Sequence, residues 1–281
     1  YRKDVKAIIL VHLNGLPCNL SAILDFTKRK KIFLIEDCSQ AHGAKYKGVT
    51  VGSFGDVSIW SFCQDKIIST GGEGGMISTN NKKIWQKCWS MKDHGKNYRS
   101  IFFKKHKIGF KWHHDFLGSN YRMTEFQAAL GRYQLKNLDN QIKKRNKIAS
   151  LYIKSLKNYF GPDKLFKTLE FSCNDCNSKK NCNLCVHAFY RLNFFLNPKK
   201  VHQLKLLKKL NNLGINCTVG SCPEIYLEKI FKKQKLSPKK RLANAKLLGE
   251  TSLMFPINPY KPLLAIKKEI FNILKVLRKF E

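Results

Sequence analysis

Residues 31–37 read KIFLIED, and this stretch decides the fold. Ile32, Phe33, Leu34 and Ile35 leave no polar position between them, so the segment fits a strand buried on both faces, as in parallel sheets. It ends on two carboxylates, Glu36 and Asp37. Upstream, residues 5–13 are dominated by Ile, Val and Leu and read as a second buried strand. Between the two, Asn19 is suited to cap a short helix whose Leu20, Ile23 and Leu24 fall on one side. Strand, helix, strand is a βαβ unit, which makes the chain α/β with a parallel sheet.

Downstream, residues 55–62 give a third strand and residues 75–79 a fourth. Residues 82–92 read as a helix. A polar, aromatic, histidine-containing loop spans 94–119. Thr124 and Gln127 fit a capping box, so a long helix starts there and runs through Leu130, Leu138, Ile142 and Leu151. The chain breaks around residues 159–162. The reading is a large domain over residues 1–160 and a smaller α+β domain over 161–281. In the latter, residues 187–196 read as a strand and 201–213 as a helix ended by Gly214. Residues 263–280 read as a closing amphipathic helix with Pro262 in its first turn.

The 281 residues are 43% hydrophobic and 12% aromatic, enough for a sizeable core. No apolar run approaches the roughly 20 residues that span a bilayer. The chain opens on Tyr1 and shows no secretory signal pattern, so it reads as starting in mid-domain. Ten cysteines without an export signal suit a reducing cytoplasm. Fifty-three Lys and Arg against 19 Asp and Glu give a net charge of +34. Three readings stay open: compositional drift, help with a phosphorylated substrate, or nucleic-acid binding. The charges are scattered along the chain, which favours drift.

Lys66 follows the third strand and precedes the glycine-rich run 71–75. A lysine just past a strand end suits Schiff-base chemistry, because partial burial favours the neutral amine. Taken alone, the segment reads sooner as a surface lysine before a tight turn. Asp37 ends a buried strand, where open α/β sheets place their ligands. A carboxylate there can hold the proton on the ring nitrogen of a pyridine cofactor, or simply cap a helix.

Several segments in register resemble the DegT/DnrJ/StrS family of nucleotide-sugar aminotransferases. They are residues 36–44 (EDCSQAHGA), 52–56 (GSFGD), Ser61-Phe62, Lys66, 72–75 (GEGG) and 120–123 (NYRM) with Gln127-Ala128-Ala129. The likeness runs from about Val5 to Tyr152 and continues more weakly through 220–226 and 252–255. It implies fold type I of the pyridoxal-phosphate-dependent transferases, aspartate aminotransferase-like, with part of the large domain and a C-terminal small domain. It also implies roles. Lys66 would carry pyridoxal phosphate and move the proton between cofactor and substrate carbons. Asp37 would pair with the ring nitrogen, Gln40 would lie near the phenolic oxygen, and Ser61 would bind the phosphate. Asn120 would reach the cofactor phosphate of a neighbouring subunit, so the active unit is a homodimer. Tyr121 and Arg122 would shape the substrate pocket. Glutamate or a similar donor would give its amine to a nucleotide-linked keto-sugar, for surface polysaccharide or lipopolysaccharide synthesis. A lysine at position 66 also argues against the family's dehydratase branch, which carries His there.

Two departures matter. Asp65 stands where many relatives have Thr. The family also places a stretch ahead of the position of Val5 that holds a phosphate-binding turn and a ring-stacking aromatic. The expectation is therefore that these 281 residues alone bind the cofactor poorly. Rival readings are a basic zinc-containing nucleic-acid-binding protein and an inactive paralogue of the aminotransferase fold.

Cys173 and Cys176, then Cys182 and Cys185, form two CxxC pairs five residues apart. Four thiolates so spaced can surround a tetrahedral structural zinc in a compact knuckle, while free thiols and disulfides remain alternatives.

Overall fold

The computed structural model describes residues 1–166 and 184–280. They form two compact units, 1–139 with 184–188 and 140–166 with 189–280.

In the first unit β1 (Ala7–Val11), α1 (Leu20–Lys30) and β2 (Phe33–Asp37) make the expected βαβ unit, with Val11 opposite Asp37 in a parallel pair. Asn19 caps α1 by accepting from Ala22 N–H at 3.3 Å. A short ribbon of β3 (Lys45–Tyr46) and β4 (Val49–Thr50) leads to β5 (Val57–Ser61), which joins β2 in parallel. β6 (Gly75–Ser78) returns antiparallel to β5, giving the order β1-β2-β5-β6. α2 (Lys82–Lys92), α3 (Tyr98–Phe103) and α4 (Glu125–Lys136) follow.

Two expectations need correcting. The first strands are not buried on both faces: Leu34 and Glu36 are covered, whereas Ile9 is 65% and Phe33 56% exposed. An unbroken apolar run carries no alternation from which an open face could be read. The long helix that starts at the Thr124–Gln127 capping box is also two helices, α4 and α5 (Leu138–Leu156). At Asn137, which lies between them, ψ is 1° and the side-chain amide donates to Tyr133 O at 3.1 Å. That bond competes with regular helical geometry.

The second unit holds most of α5, then β7 (Arg191–Phe195), α6 (Gln203–Asn211), β8 (Thr218–Val219), α7 (Lys229–Lys233), α8 (Ala243–Thr251), β9 (Ser252–Pro256) and α9 (Leu263–Leu277). Its sheet is antiparallel in the order β7-β9-β8. Leu192, Phe194, Leu253 and Phe255 from the sheet meet Ile148, Tyr152 and Leu156 of α5 and Ile266 and Ile273 of α9 in one core. Each such side chain contributes about 1.5–3 kcal/mol relative to exposure. The sequence reading broke the chain near residue 160. The units divide at Asp139–Asn140, because α5 buries its apolar face among the residues of the second core. Pro262 is the N-cap of α9, one position ahead of the expected first turn.

Candidate active site

Parallel pairing of β2 and β5 brings their carboxyl ends side by side, with Asp37 opposite Ile59 and Ser61 two residues further on. Asp37 is half-buried, and its Oδ1 accepts from Ser39 N–H at 3.0 Å. That bond turns the chain sharply toward Gln40 and commits one carboxylate oxygen. Gln40 Oε1 accepts from Asn14 N–H at 2.7 Å. Ser61 Oγ accepts from Cys63 N–H at 3.3 Å.

Lys66 sits in the turn between β5 and β6. Its N–H donates to Cys63 O at 3.0 Å, and Phe62 N–H donates to Gly74 O at 2.8 Å. The turn is packed tightly: a Cβ on Gly74 would lie 2.3 Å from Thr70 Oγ1. The Lys66 side chain is 16% exposed, with Nζ 3.7 Å from Asp65 Oδ1. The residue that departs from the family pattern thus stands beside the candidate cofactor lysine.

Helix α4 buttresses this turn. Gln134 clamps Ser69 at both ends, accepting from its N–H at 3.0 Å and donating to its carbonyl at 2.6 Å. Gln127 Nε2 donates to Glu73 O at 2.8 Å. The two glutamines are seven residues apart on one helix face, a spacing visible in the sequence that was read only for its cap.

Under the strand ends lies a second arrangement the sequence reading missed. Glu36 is fully buried and accepts from Gly52 N–H at 2.8 Å, Phe54 N–H at 2.8 Å and Gly55 N–H at 2.6 Å. Gly52 must be glycine: its φ is +87°, and a Cβ there would lie 2.4 Å from the Trp60 ring. Burial alone would raise the Glu36 carboxyl. The bonds from His12 and from the three N–H groups outweigh it and hold the group below its ordinary value. His12, Glu36 and Cys38 have ligand atoms within 4.8 Å of one another. They make a poor metal site. The His12 nitrogens are engaged by Cys18 N–H and by Glu36. The Cys38 thiol is driven up by burial and by the charges of Glu36 and Asp37, so it stays protonated.

Lys66, Asp37, Gln40 and Ser61 therefore share the carboxyl edge of the sheet. Asn120 is exposed on a separate loop bridged to Asp93, and its Oδ1 accepts from Arg122 Nε at 3.0 Å. Arg122 Nε lies 3.6 Å from Asp93. His42 packs against Trp60 and Phe62. Of the cysteine cluster, Cys173, Cys176 and Cys182 lie outside the described residues. Cys185 Sγ accepts from Lys47 N–H at 3.4 Å, beside the bridge between Lys45 and Val186.

An amine, a carboxylate, a hydroxyl and an amide at one sheet edge are chemically suited to pyridoxal phosphate. Comparison with known proteins agrees. The model of the DegT/DnrJ/EryC1/StrS aminotransferase family matches residues 2–263. GDP-perosamine synthase of Escherichia coli O157:H7 is 42% identical over 151 residues, which are 54% of this chain and 38% of that protein. A UDP-4-amino-4,6-dideoxy-N-acetyl-beta-L-altrosamine transaminase of Campylobacter jejuni is 32% identical over 98% of this chain and 68% of its own length. The crystal structure of an aminotransferase from Psychrobacter cryohalolentis superposes with a TM-score of 0.90 at 38% identity, covering all of this chain and 70% of that one. The match to the perosamine synthase thus spans well under half of that relative's length. The expected fold type I is borne out, and among the described residues no helix is long and apolar enough to cross a membrane. The chain belongs to the DegT/DnrJ/EryC1/StrS aminotransferase family.

Proposed function

We propose that this chain serves a pyridoxal-phosphate-dependent transamination, in which an amino-acid donor such as glutamate aminates a nucleotide-linked keto-sugar destined for surface polysaccharide. The observation that carries the reading is the gathering of Lys66, Asp37, Gln40 and Ser61 at the carboxyl edge of β2 and β5. Pyridoxal phosphate, when bound, supplies the electron sink that amine transfer needs. Asp37 keeps one carboxylate oxygen beyond its bond to Ser39 and holds a proton at the ring nitrogen. The Ser61 hydroxyl takes a phosphate oxygen. Lys66 Nζ would hold the cofactor and would move the substrate proton.

The two relatives named above act on GDP- and UDP-linked sugars by their names, which supports a nucleotide-linked acceptor here. Asn120 serves the cofactor phosphate of a second copy. Phe110, Trp112 and Leu117, exposed on the same loop at 79%, 87% and 95%, support coverage of that loop by another subunit. The cysteine pairs bind a structural zinc, and the setting is cytoplasmic, in keeping with the free thiols of Cys18, Cys38 and Cys63.

The test is an absorbance spectrum with pyridoxal phosphate, before and after borohydride reduction. A visible band trapped covalently in the unaltered chain and absent in Lys66→Ala supports the reading. A band that survives Lys66→Ala, or reduction that labels another lysine, overturns it.

A further inference from the structure

A carboxamide has one accepting end and one donating end, and only oxygen can accept from a backbone N–H. The bond from Asn14 N–H at 2.7 Å therefore fixes which end of Gln40 faces the 12–18 turn. Oε1 is committed, and Nε2 is left with donor capacity only. Among the described residues Nε2 has no partner.

The turn that supplies this N–H is closed by two backbone hydrogen bonds. Gly15 N–H donates to His12 O at 3.2 Å and Leu16 N–H to Leu13 O at 3.1 Å. His12 is itself pinned to Glu36 at 3.1 Å. Asn14 is 5% exposed with φ 56° and ψ 13°, the left-handed region that Asn and Gly tolerate and β-branched residues do not. Its Oδ1 is buried with no hydrogen-bond partner. Oδ1 of Asn14 thus gains no hydrogen bond, while the backbone geometry aims the N–H at Gln40.

We infer that Asn14 is a positioning residue that locks Gln40 as a hydrogen-bond donor toward the ring oxygen of the cofactor. The inference rests on the pyridoxal-phosphate reading above. A donor at that oxygen stabilises its anionic form, so removing the donor raises the pH at which the visible band of the lysine-bound cofactor titrates.

Four variants of the full chain separate the possibilities. Gln40→Glu keeps an acceptor for Asn14 N–H and offers no donor. Its band midpoint should rise by about one pH unit. Asn14→Gly keeps the left-handed turn and removes the unpartnered acceptor, so midpoint and affinity for pyridoxal phosphate should stay as in the unaltered chain. Asn14→Val cannot hold φ 56° and should lose about tenfold in affinity. Hydrogen exchange of Asn14 N–H reads the bond without cofactor: slow in the unaltered chain and in Gln40→Glu, fast in Gln40→Ala. An unshifted midpoint in Gln40→Glu, or equal Asn14 exchange in Gln40→Ala and the unaltered chain, overturns the inference and leaves the aminotransferase reading standing. A band that survives Lys66→Ala removes both.

Discussion

His12 and Glu36, on neighbouring strand ends and both fully buried, form a neutral donor facing a charged acceptor. Glu36 Oε2 lies 3.1 Å from His12 Nε2, while Nδ1 of the same ring accepts from Cys18 N–H at 3.1 Å. Since Nδ1 accepts, the proton is on Nε2 and the ring is uncharged. The carboxylate charge is met instead by three backbone N–H groups and this one ring donor. Glu36→Gln places an NH₂ against one of those donors and leaves it buried without an acceptor. The variant should lose about 3 kcal/mol of stability, read as a lower urea midpoint. An unchanged midpoint would mean that the 52–55 turn relaxes freely around an amide.

The same group sets a pH dependence. Glu36 titrates lower in the folded chain than in the unfolded one, where a glutamate sits near about 4.3. Its contribution is therefore complete above the unfolded value and is lost as pH falls through the folded one. Urea midpoints of the unaltered chain and Glu36→Gln should differ most near neutrality and converge as the buffer is taken from pH 6 toward pH 3, values chosen to bracket roughly that range. A gap that stays constant across the series would show that the Glu36 carboxyl titrates alike in the folded and the unfolded chain.

Local signals made much of this legible. Asn19 and the Thr124–Gln127 pair named their helix starts, and α2 follows the expected residues, its start capped by Asn81, which accepts from Lys83 and Ile84 N–H. Asp37 at a strand end and Lys66 in a glycine-rich turn could likewise be placed from adjacent residues. The rest depends on partners far apart in the chain. Glu36 meets His12 across 24 positions, and Gln40 meets Asn14 across 26. Neither pair leaves a periodic trace. The division at residue 139 was hidden for a related reason: helical periodicity shows that a face is apolar and does not say which core covers it.

Phe194 anchors the second unit. Its side chain is fully buried, with ring centroids of Phe160, Phe166 and Phe255 at 5.5, 5.3 and 5.5 Å. Phe194→Ala should cost about 3–5 kcal/mol, because three rings cannot collapse into the space of the fourth. Hydrogen exchange at Leu192 and Leu253 N–H checks this. Protection that drops there by less than about tenfold would indicate a core that repacks.

The cysteine pairs make a compositional prediction. Purified chain should carry about one zinc, lost when Cys176 and Cys182 are replaced together. Elemental analysis under reducing conditions decides it. Metal-free chain with four reactive thiols at 173, 176, 182 and 185 would leave the knuckle without support.

The clamp of Gln134 on Ser69 yields the most local prediction. One amide satisfies both backbone groups of a residue in the turn that carries Lys66, at 3.0 and 2.6 Å. Gln134→Leu keeps the bulk and deletes both bonds, leaving two half-buried backbone groups to find water. They can do so only if the turn moves away from α4, since the helix supplies their partner. Exchange at Ser69 N–H should accelerate by at least about tenfold while the melting of the whole chain changes little. Affinity for pyridoxal phosphate should fall in step, because Lys66 rides on the same turn. Gln134→Glu retains the acceptor for Ser69 N–H but sets an anion against its carbonyl, so it should fall between the two. If Gln134→Leu exchanges at Ser69 as slowly as the unaltered chain, the turn is held by its own bonds, Phe62 to Gly74 and Lys66 to Cys63, and α4 is a bystander.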